Sequence, residues 1–272
     1  MAVGLAALPR LETFIIKFSF STPRPHQMLP TPPVTRTVLP ALTCFEFKGA
    51  SEYLEDFVAR IDSPRLDHIQ IDYLNQLVDF QVPQLSHFID RSVGPKLTPL
   101  SRAQIIFSSY GVSFDLWRRV NYPRRKLFHD TSLTVIGCEG IDWQVSHMAE
   151  FLSHFSTTLP NVVHLELEAM PEGRQLQVTD DVEWPHLLHQ FSTVQTLHVS
   201  RELAGQVALA LEEMTGEMAA EVLPSLDLIY LAGQPASSIE KFVAVRQLSV
   251  HPVTPFDTEM GFDESLKSYI SE

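Results

Sequence analysis

A chain of 272 residues, 44% hydrophobic and 19% charged, is long enough to bury a substantial core, and its composition is that of a globular protein. The 20 Lys and Arg residues against 33 Asp and Glu residues give a formal net charge of −13, which disfavours binding to nucleic acid. No run of 18 apolar residues occurs and no basic segment precedes the short apolar start, so neither a membrane span nor a signal peptide is predicted.

The cysteine content indicates a reducing compartment. Only Cys44 and Cys138 occur, too few for a disulfide framework and without Cys-x-x-Cys spacing. We therefore expect an intracellular protein, cytoplasmic or nuclear, whose thiols are buried and reduced.

One nine-residue phrase recurs along the chain. It consists of an apolar residue, a second residue that is often Pro, a variable residue, an apolar residue, two variable residues, an apolar residue, a variable residue and a final apolar residue. Its copies lie at 8–16, 39–47, 63–71, 82–88 (clipped), 159–167, 191–199, 223–231 and 242–250. Taken at the second position, the intervals are 31, 24, 19, 77, 32, 32 and 19 residues. The interval of 77 fits about three degenerate units, for which 101–107 and 131–136 supply strands.

Each phrase predicts a turn followed by a short strand, because its last three positions alternate apolar, variable, apolar and Pro ends the preceding element. Segments with helical spacing lie between the phrases. They follow Ser51, Asp142 and Ser200 as predicted N-caps, and the third is predicted to end at Gly216.

Strand and return helix repeating at about 19 to 32 residues predict an α/β fold, a leucine-rich-repeat-like solenoid with a parallel strand ladder. We assign residues 1–252 to this solenoid, including a Pro-rich loop at 21–34, and 253–272 to an acidic C-terminal tail.

Residues 42–67, 187–194 and 241–249 resemble the repeat region of the expanded F-box proteins of mushroom-forming (basidiomycete) fungi. The likeness spans most of 8–252. It implies an intracellular substrate receptor of a cullin ubiquitin ligase, in which an F-box binds a Skp-type adaptor and the repeats hold the ubiquitylation target. Because the first phrase begins within ten residues of Met1, a Skp-type adaptor is expected only if an F-box lies upstream.

The first phrase also predicts an uncapped end of the stack. Leu5, Leu8 and Leu11 are apolar where a solenoid needs a polar cap, so we expect the chain to self-associate or aggregate through this end.

No signature of catalysis or metal binding is present. His68, His164 and His198 fall in variable strand positions, and none of the eleven His residues follows a ligand spacing. The cluster that could hold a cation contains Asp180, Asp181, Glu183, His186 and His189, and is better explained as an acidic loop before a short helix. We expect no enzyme activity, no metal and no cofactor.

Strand alternation predicts the binding surface, because residues between inward-pointing apolar positions point to the opposite face. These residues are Lys17, Glu46, Lys48, Gln70, Asp72, Glu166, Glu168, His198 and Tyr230. They predict a strand face that binds a protein partner, with a merely solvated face as the alternative.

Two other interpretations stay open at this point. One is a carbohydrate-acting enzyme on a β-helix-like repeat scaffold, although the helical segments argue against continuous β-coils. The other is a degenerate structural paralogue that lost the F-box and its role together.

Overall fold

The computed structural model describes residues 7–18, 35–74, 82–93, 100–118, 131–136, 140–170, 182–214, 217–247 and 252–256. The strands are β1 (Thr13–Lys17), β2 (Thr37–Val38), β3 (Cys44–Gly49), β4 (Ile61–Asp62), β5 (His68–Leu74), β6 (Leu100–Ser108), β7 (Gly111–Arg118), β8 (Thr131–Ile136), β9 (His164–Ala169), β10 (Thr196–Val199), β11 (Leu228–Leu231) and β12 (Thr254–Phe256).

The helices are α1 (Ser51–Val58), α2 (Pro83–Val93), α3 (Ile141–Ser153), α4 (Trp184–Leu188), α5 (Arg201–Glu213), α6 (Glu217–Glu221) and α7 (Glu240–Gln247). Short 3₁₀ turns lie at Leu159–Asn161 and Ala236–Ile239. The chain therefore combines strands and helices, as the sequence predicted.

Ten of the described strands form one sheet in the order β1-β3-β5-β8-β7-β6-β9-β10-β11-β12. Every pairing is parallel except those of β7, which is antiparallel to both β6 and β8. The remaining two strands, β2 and β4, pair with each other in parallel. The fold is thus α/β with a large, mostly parallel sheet, as the sequence predicted.

The core lies between this sheet and the helices. Side chains on one face of the sheet are apolar and almost fully buried, among them Phe45, Ile69, Leu133, Phe114, Ile105, Leu165, Leu197 and Ile229. They form a single cluster with helix residues such as Leu54, Phe88, Met148, Leu187, Leu203 and Phe242. Burial on this scale is the main stabilising term, at roughly 1.5–3 kcal/mol for each large side chain.

The helices follow one another across the sheet in chain order. The helix α1 contacts α2. Further along the chain α3 contacts α4, α4 contacts α5, and α5 contacts α7. Hydrogen bonds join α2 to the turn that follows α3, since Ser86 Oγ donates to the carbonyl of His154 and Thr158 Oγ1 donates to Asp90 Oδ1 at 2.9 Å.

The middle of the sheet departs from the expected ladder. The strands predicted at 101–107 and 131–136 exist as β6 and β8, but β7 between them was not predicted. These three strands are an antiparallel meander that runs backwards across the sheet, so β8 pairs with β5 and β6 pairs with β9. Hence the interval of 77 residues does not contain three stacked units.

The clipped phrase at 82–88 was predicted as a strand and is the start of α2. Pro83 is the first residue of this helix, a position where its missing N–H is not needed. Leu85, Phe88 and Ile89 are buried at helical spacing, so the same apolar letters fit a helix when the segment packs as one.

The last phrase also differs from the prediction. Residues 242–247 belong to α7, and 248–250 lie outside the described residues, as do 21–34 and 257–272. Thr254–Phe256 forms β12, which pairs with β11, so the sheet extends beyond the boundary predicted at residue 252.

The predicted helix starts are accurate to within two residues. The N-cap positions are Ala50, Gly140 and Ser200, so Ser51 and Asp142 lie inside their helices. Ser200 holds the N-cap position, but its Oγ accepts a hydrogen bond from the N–H of Ala169 at 3.2 Å and does not cap the helix. Gly216 lies outside the described residues.

Candidate protein-binding face

The face of the sheet opposite the helices, hereafter the polar sheet face, carries two rows of side chains in register. Row one consists of Ile15, Glu46, Gln70, Ser132, Asp115, Gln104, Glu166, His198, Tyr230 and Phe256. Row two consists of Lys17, Lys48, Asp72, Thr134, Ser113, Ile106 and Glu168. Ten strands at about 4.8 Å spacing make row one roughly 40 Å long.

All nine residues predicted for the binding surface lie in these two rows. Glu46, Gln70, Glu166, His198 and Tyr230 are in row one, and Lys17, Lys48, Asp72 and Glu168 are in row two. Their shared face follows from the period of two in each strand, and the parallel register aligns them from strand to strand.

At the β1 end of the polar sheet face, oppositely charged side chains lie next to each other, although Lys17 also stands opposite Lys48 in the register. Lys17 Nζ lies 3.0 Å from Glu46 Oε2, and Lys48 stands opposite Asp72 in the register. Because these side chains are partly exposed, each pair contributes little to stability, at most about 1 kcal/mol. This end of the polar sheet face therefore carries both positively and negatively charged side chains.

In the centre an arginine joins the parallel strands to the meander. Arg102 Nε donates to Glu166 Oε1 at 3.0 Å, and its guanidinium lies 5.7 Å from the centroid of the Trp117 ring. Glu166 is therefore neutralised by a bonded cation.

Glu168 differs from Glu166. Burial raises the pKa of the Glu168 carboxyl, as do Glu166 and, to a smaller extent, Glu202, while a hydrogen bond from Gln104 lowers it. The Glu168 carboxyl therefore takes up a proton more readily than a solvated carboxyl group does.

At the β12 end the face is aromatic. The imidazole of His198 stacks on the ring of Tyr230 with centroids 4.7 Å apart and planes 4° from parallel, and Phe256 follows at 6.1 Å from Tyr230. Burial lowers the pKa of His198; Glu166 opposes this shift and Arg102 adds to it. The imidazole is thus neutral at neutral pH, which suits a stacking role.

The polar sheet face is less exposed than alternation alone predicted. Tyr230 was expected to be exposed but is 9% accessible, because it lies between His198 and Phe256. Asp115 and Trp117 on β7 are also buried, at 5% and 6%. The other eight predicted residues are partly or well exposed.

Sequence reasoning missed Arg102, Asp115 and Trp117 as members of this surface. For Asp115 and Trp117 the missed signal was the alternation of Val112, Phe114 and Leu116, which indicates a strand as strongly as the repeated phrase does. Arg102 lies on β6, a predicted strand that does not carry the repeated phrase.

No metal centre appears in the part of the chain that the structure describes, where no group of three or more His, Cys, Asp or Glu side chains is arranged to hold an ion. His186 and His189 are exposed at the end of α4, and Asp180 and Asp181 lie outside the described residues. Burial and then Glu46 raise the pKa of the Cys44 thiol, which is therefore protonated at neutral pH.

The arrangement defines a class of protein: an α/β chain whose helices cover one face of a mostly parallel sheet and leave a polar face on the other. Helices between the strands are incompatible with the continuous β-coils of a β-helix. Comparison with models of protein families, with curated proteins and with solved structures found no match. Among the described residues, no helix has the length and apolar character needed to cross a membrane.

Proposed function

We propose that this chain is a non-catalytic scaffold that binds a protein partner on the polar sheet face. In this proposal the fold is a leucine-rich-repeat-like solenoid, interrupted by the meander of β6, β7 and β8. Six copies of the phrase end in parallel strands of one sheet, which supports a common repeating unit. The resemblance to F-box proteins suggests that the partner is a ubiquitylation target.

The observation that carries the proposal is the in-register row across ten strands. A strip of roughly 40 Å that mixes charged, amide and aromatic side chains has the dimensions and composition of a protein interface. Arg and Tyr side chains, here the partly buried Arg102 and the buried Tyr230, are residue types that dominate binding energy in such interfaces.

The proposal is tested with a charge-reversed chain. The test variant carries Glu46→Lys, Glu166→Lys and Glu168→Lys, which change the polar sheet face alone. The control variant carries Glu213→Lys, Glu221→Lys and Glu240→Lys, the same change of charge at exposed positions of α5, α6 and α7. Circular dichroism verifies that both variants fold.

Proteins captured by the tagged chain are quantified by mass spectrometry for all three forms. We expect the control variant to retain one set of partners that the test variant captures about tenfold less or more weakly still. The reason is that reversing a charge in an interface places like charges opposite each other, which typically costs several kcal/mol of binding free energy. Partners that remain equally bound by the test variant would contradict the proposal.

A further inference from the structure

The strand β1 is an edge of the ten-stranded sheet, and among the described strands it pairs only with β3. The carbonyl of Glu12 accepts from the N–H of Cys44 at 3.1 Å, and the N–H of Phe18 donates to Lys48 at 2.8 Å. Even-numbered residues of β1 therefore direct their backbone groups at β3. Because these directions alternate, Thr13, Ile15 and Lys17 direct theirs away from the sheet.

This edge is apolar and accessible. Ile15 is 50% exposed, which is high for a large hydrophobic side chain in the middle of a strand. On the helix-covered face, Phe14 lies 5.3 Å from the ring of Phe57, but Phe14 and Ile16 are only partly buried. The core is thus incompletely covered where β1 forms its end.

The opposite edge is protected. In β12 the N–H of Thr254 donates to Asp227, so the next residue, Pro255, directs its backbone away from the sheet. Proline has no N–H to offer to an incoming strand, and β12 has only three residues. A head-to-tail contact between β12 of one copy and β1 of the next is therefore disfavoured.

We propose that β1 pairs antiparallel with β1 of a second copy of this chain, about a two-fold axis at Ile15. The two Ile15 residues then exchange both backbone hydrogen bonds, and Phe14 stands opposite Ile16 of the second copy on the helix-covered face. Thr13 stands opposite Lys17, so no like charges meet. The interface is self-complementary and closed.

The symmetry has a structural consequence. A two-fold axis perpendicular to the sheet keeps the helices of both copies on the same side, so the two polar sheet faces become continuous. The proposal does not depend on what that face binds, and it concerns the edge of the sheet alone.

Disulfide trapping tests both the pairing and its register. In Ile15→Cys the two new thiols belong to a hydrogen-bonded antiparallel pair with Cα atoms about 5.5 Å apart, a distance that a disulfide spans. In the matched variant Lys17→Cys, whose register partner is Lys48, the new thiols are about 14 Å apart along the strands, four residues at about 3.4 Å each.

Under mild oxidation we expect a covalent dimer of Ile15→Cys in non-reducing electrophoresis, and no more dimer from Lys17→Cys than from the unmodified chain, which has Cys44 and Cys138. Equal cross-linking of Ile15→Cys and Lys17→Cys would overturn the proposed register.

Sedimentation of the uncross-linked chain gives an independent measurement. We expect a dimer. Ile15→Pro should weaken it about tenfold or more because Pro lacks the outward N–H, and Ile15→Lys should do the same because two ammonium groups then stand opposite each other. Leu209→Lys, at an exposed apolar position on α5, should leave the dimer intact. A monomeric unmodified chain, or a dimer unaffected by both Ile15 variants, would refute the pairing.

Discussion

The carboxyl group of Glu55 is buried in the helix layer, where the residue is only 2% exposed. Its position in the sequence did not indicate that it caps another helix. Its oxygens accept the backbone N–H groups of Gln84 at 2.8 Å and Leu85 at 2.9 Å, so α1 supplies the cap for the first turn of α2. Burial raises the pKa of Glu55 to about 7, although these two hydrogen bonds lower it.

The raised pKa predicts a pH dependence of stability. Between the ordinary pKa of about 4.5 and the folded value of about 7, the folded chain holds a proton that the unfolded chain has lost, so stability falls as pH rises. The loss is at most roughly 3–4 kcal/mol, because the pKa rises from 4.5 to about 7 and each pH unit is worth about 1.4 kcal/mol.

Chemical denaturation of the unmodified chain and of Glu55→Gln, from pH 4 to 8, measures this effect. We expect Glu55→Gln to gain stability relative to the unmodified chain as pH rises through this window, because the amide cannot ionise. A constant difference between the two chains across the window would show that Glu55 keeps its ordinary pKa.

At the scale of single elements, the sequence correctly predicted the strands that carry the repeated phrase. Six phrases end in strands at the expected residues, and all nine residues predicted for one face share it. The phrase failed at 82–88 because Pro can start a helix as well as precede a strand, and helical burial of Phe88 and Ile89 is compatible with the same letters. Whether a short apolar segment forms a helix or a strand is decided only by the elements against which it packs.

The helix α7 shows a tertiary contact that no local pattern signals. Arg246 was assigned to a variable position of the last phrase, but it is 1% exposed. Its Nη atoms donate to the carbonyls of Ala220 at 3.4 Å, Pro224 at 3.0 Å and Leu226 at 3.3 Å. The guanidinium therefore connects α7 to the turn between α6 and β11.

We predict that Arg246→Met destabilises the chain by roughly 2–4 kcal/mol, because it leaves buried carbonyls without a charged donor. The control on the same helix is Lys241→Met, whose Nζ is 3.5 Å from Glu212 and whose side chain is 78% exposed; we expect a change within about 0.5 kcal/mol. Equal free energies of unfolding for the two variants, from denaturant titration, would contradict the role given to Arg246.

At the scale of the whole molecule, the reversed order of β8, β7 and β6 determines how the two ends of the sheet are connected. In a simple solenoid each unit touches only its neighbours, and the two ends can unfold separately. Here β5 pairs with β8 and β6 pairs with β9, so segments distant in sequence are joined in the middle of the sheet. We therefore expect both ends to unfold together.

Tryptophan fluorescence tests this expectation, because all three tryptophans, Trp117, Trp143 and Trp184, lie after the first five strands. Phe45→Ala, in the fully buried part of β3, should lower stability by about 3–5 kcal/mol and shift fluorescence and far-UV circular dichroism equally. Leu8→Ala, at a 49% exposed position, should shift neither. Loss of dichroism before any change in fluorescence would indicate independent ends.

The sequence by itself determined the α/β class, most strands and helices, and which side chains share the polar sheet face. These properties depend on local periodicity, since alternation along a strand sets side-chain direction wherever that strand is placed. Only the tertiary structure decided the order of the strands, the antiparallel β7, the cap by Glu55 and the burial of Arg246. These depend on which distant segments bury each other best, and residue spacing along the chain does not encode that choice.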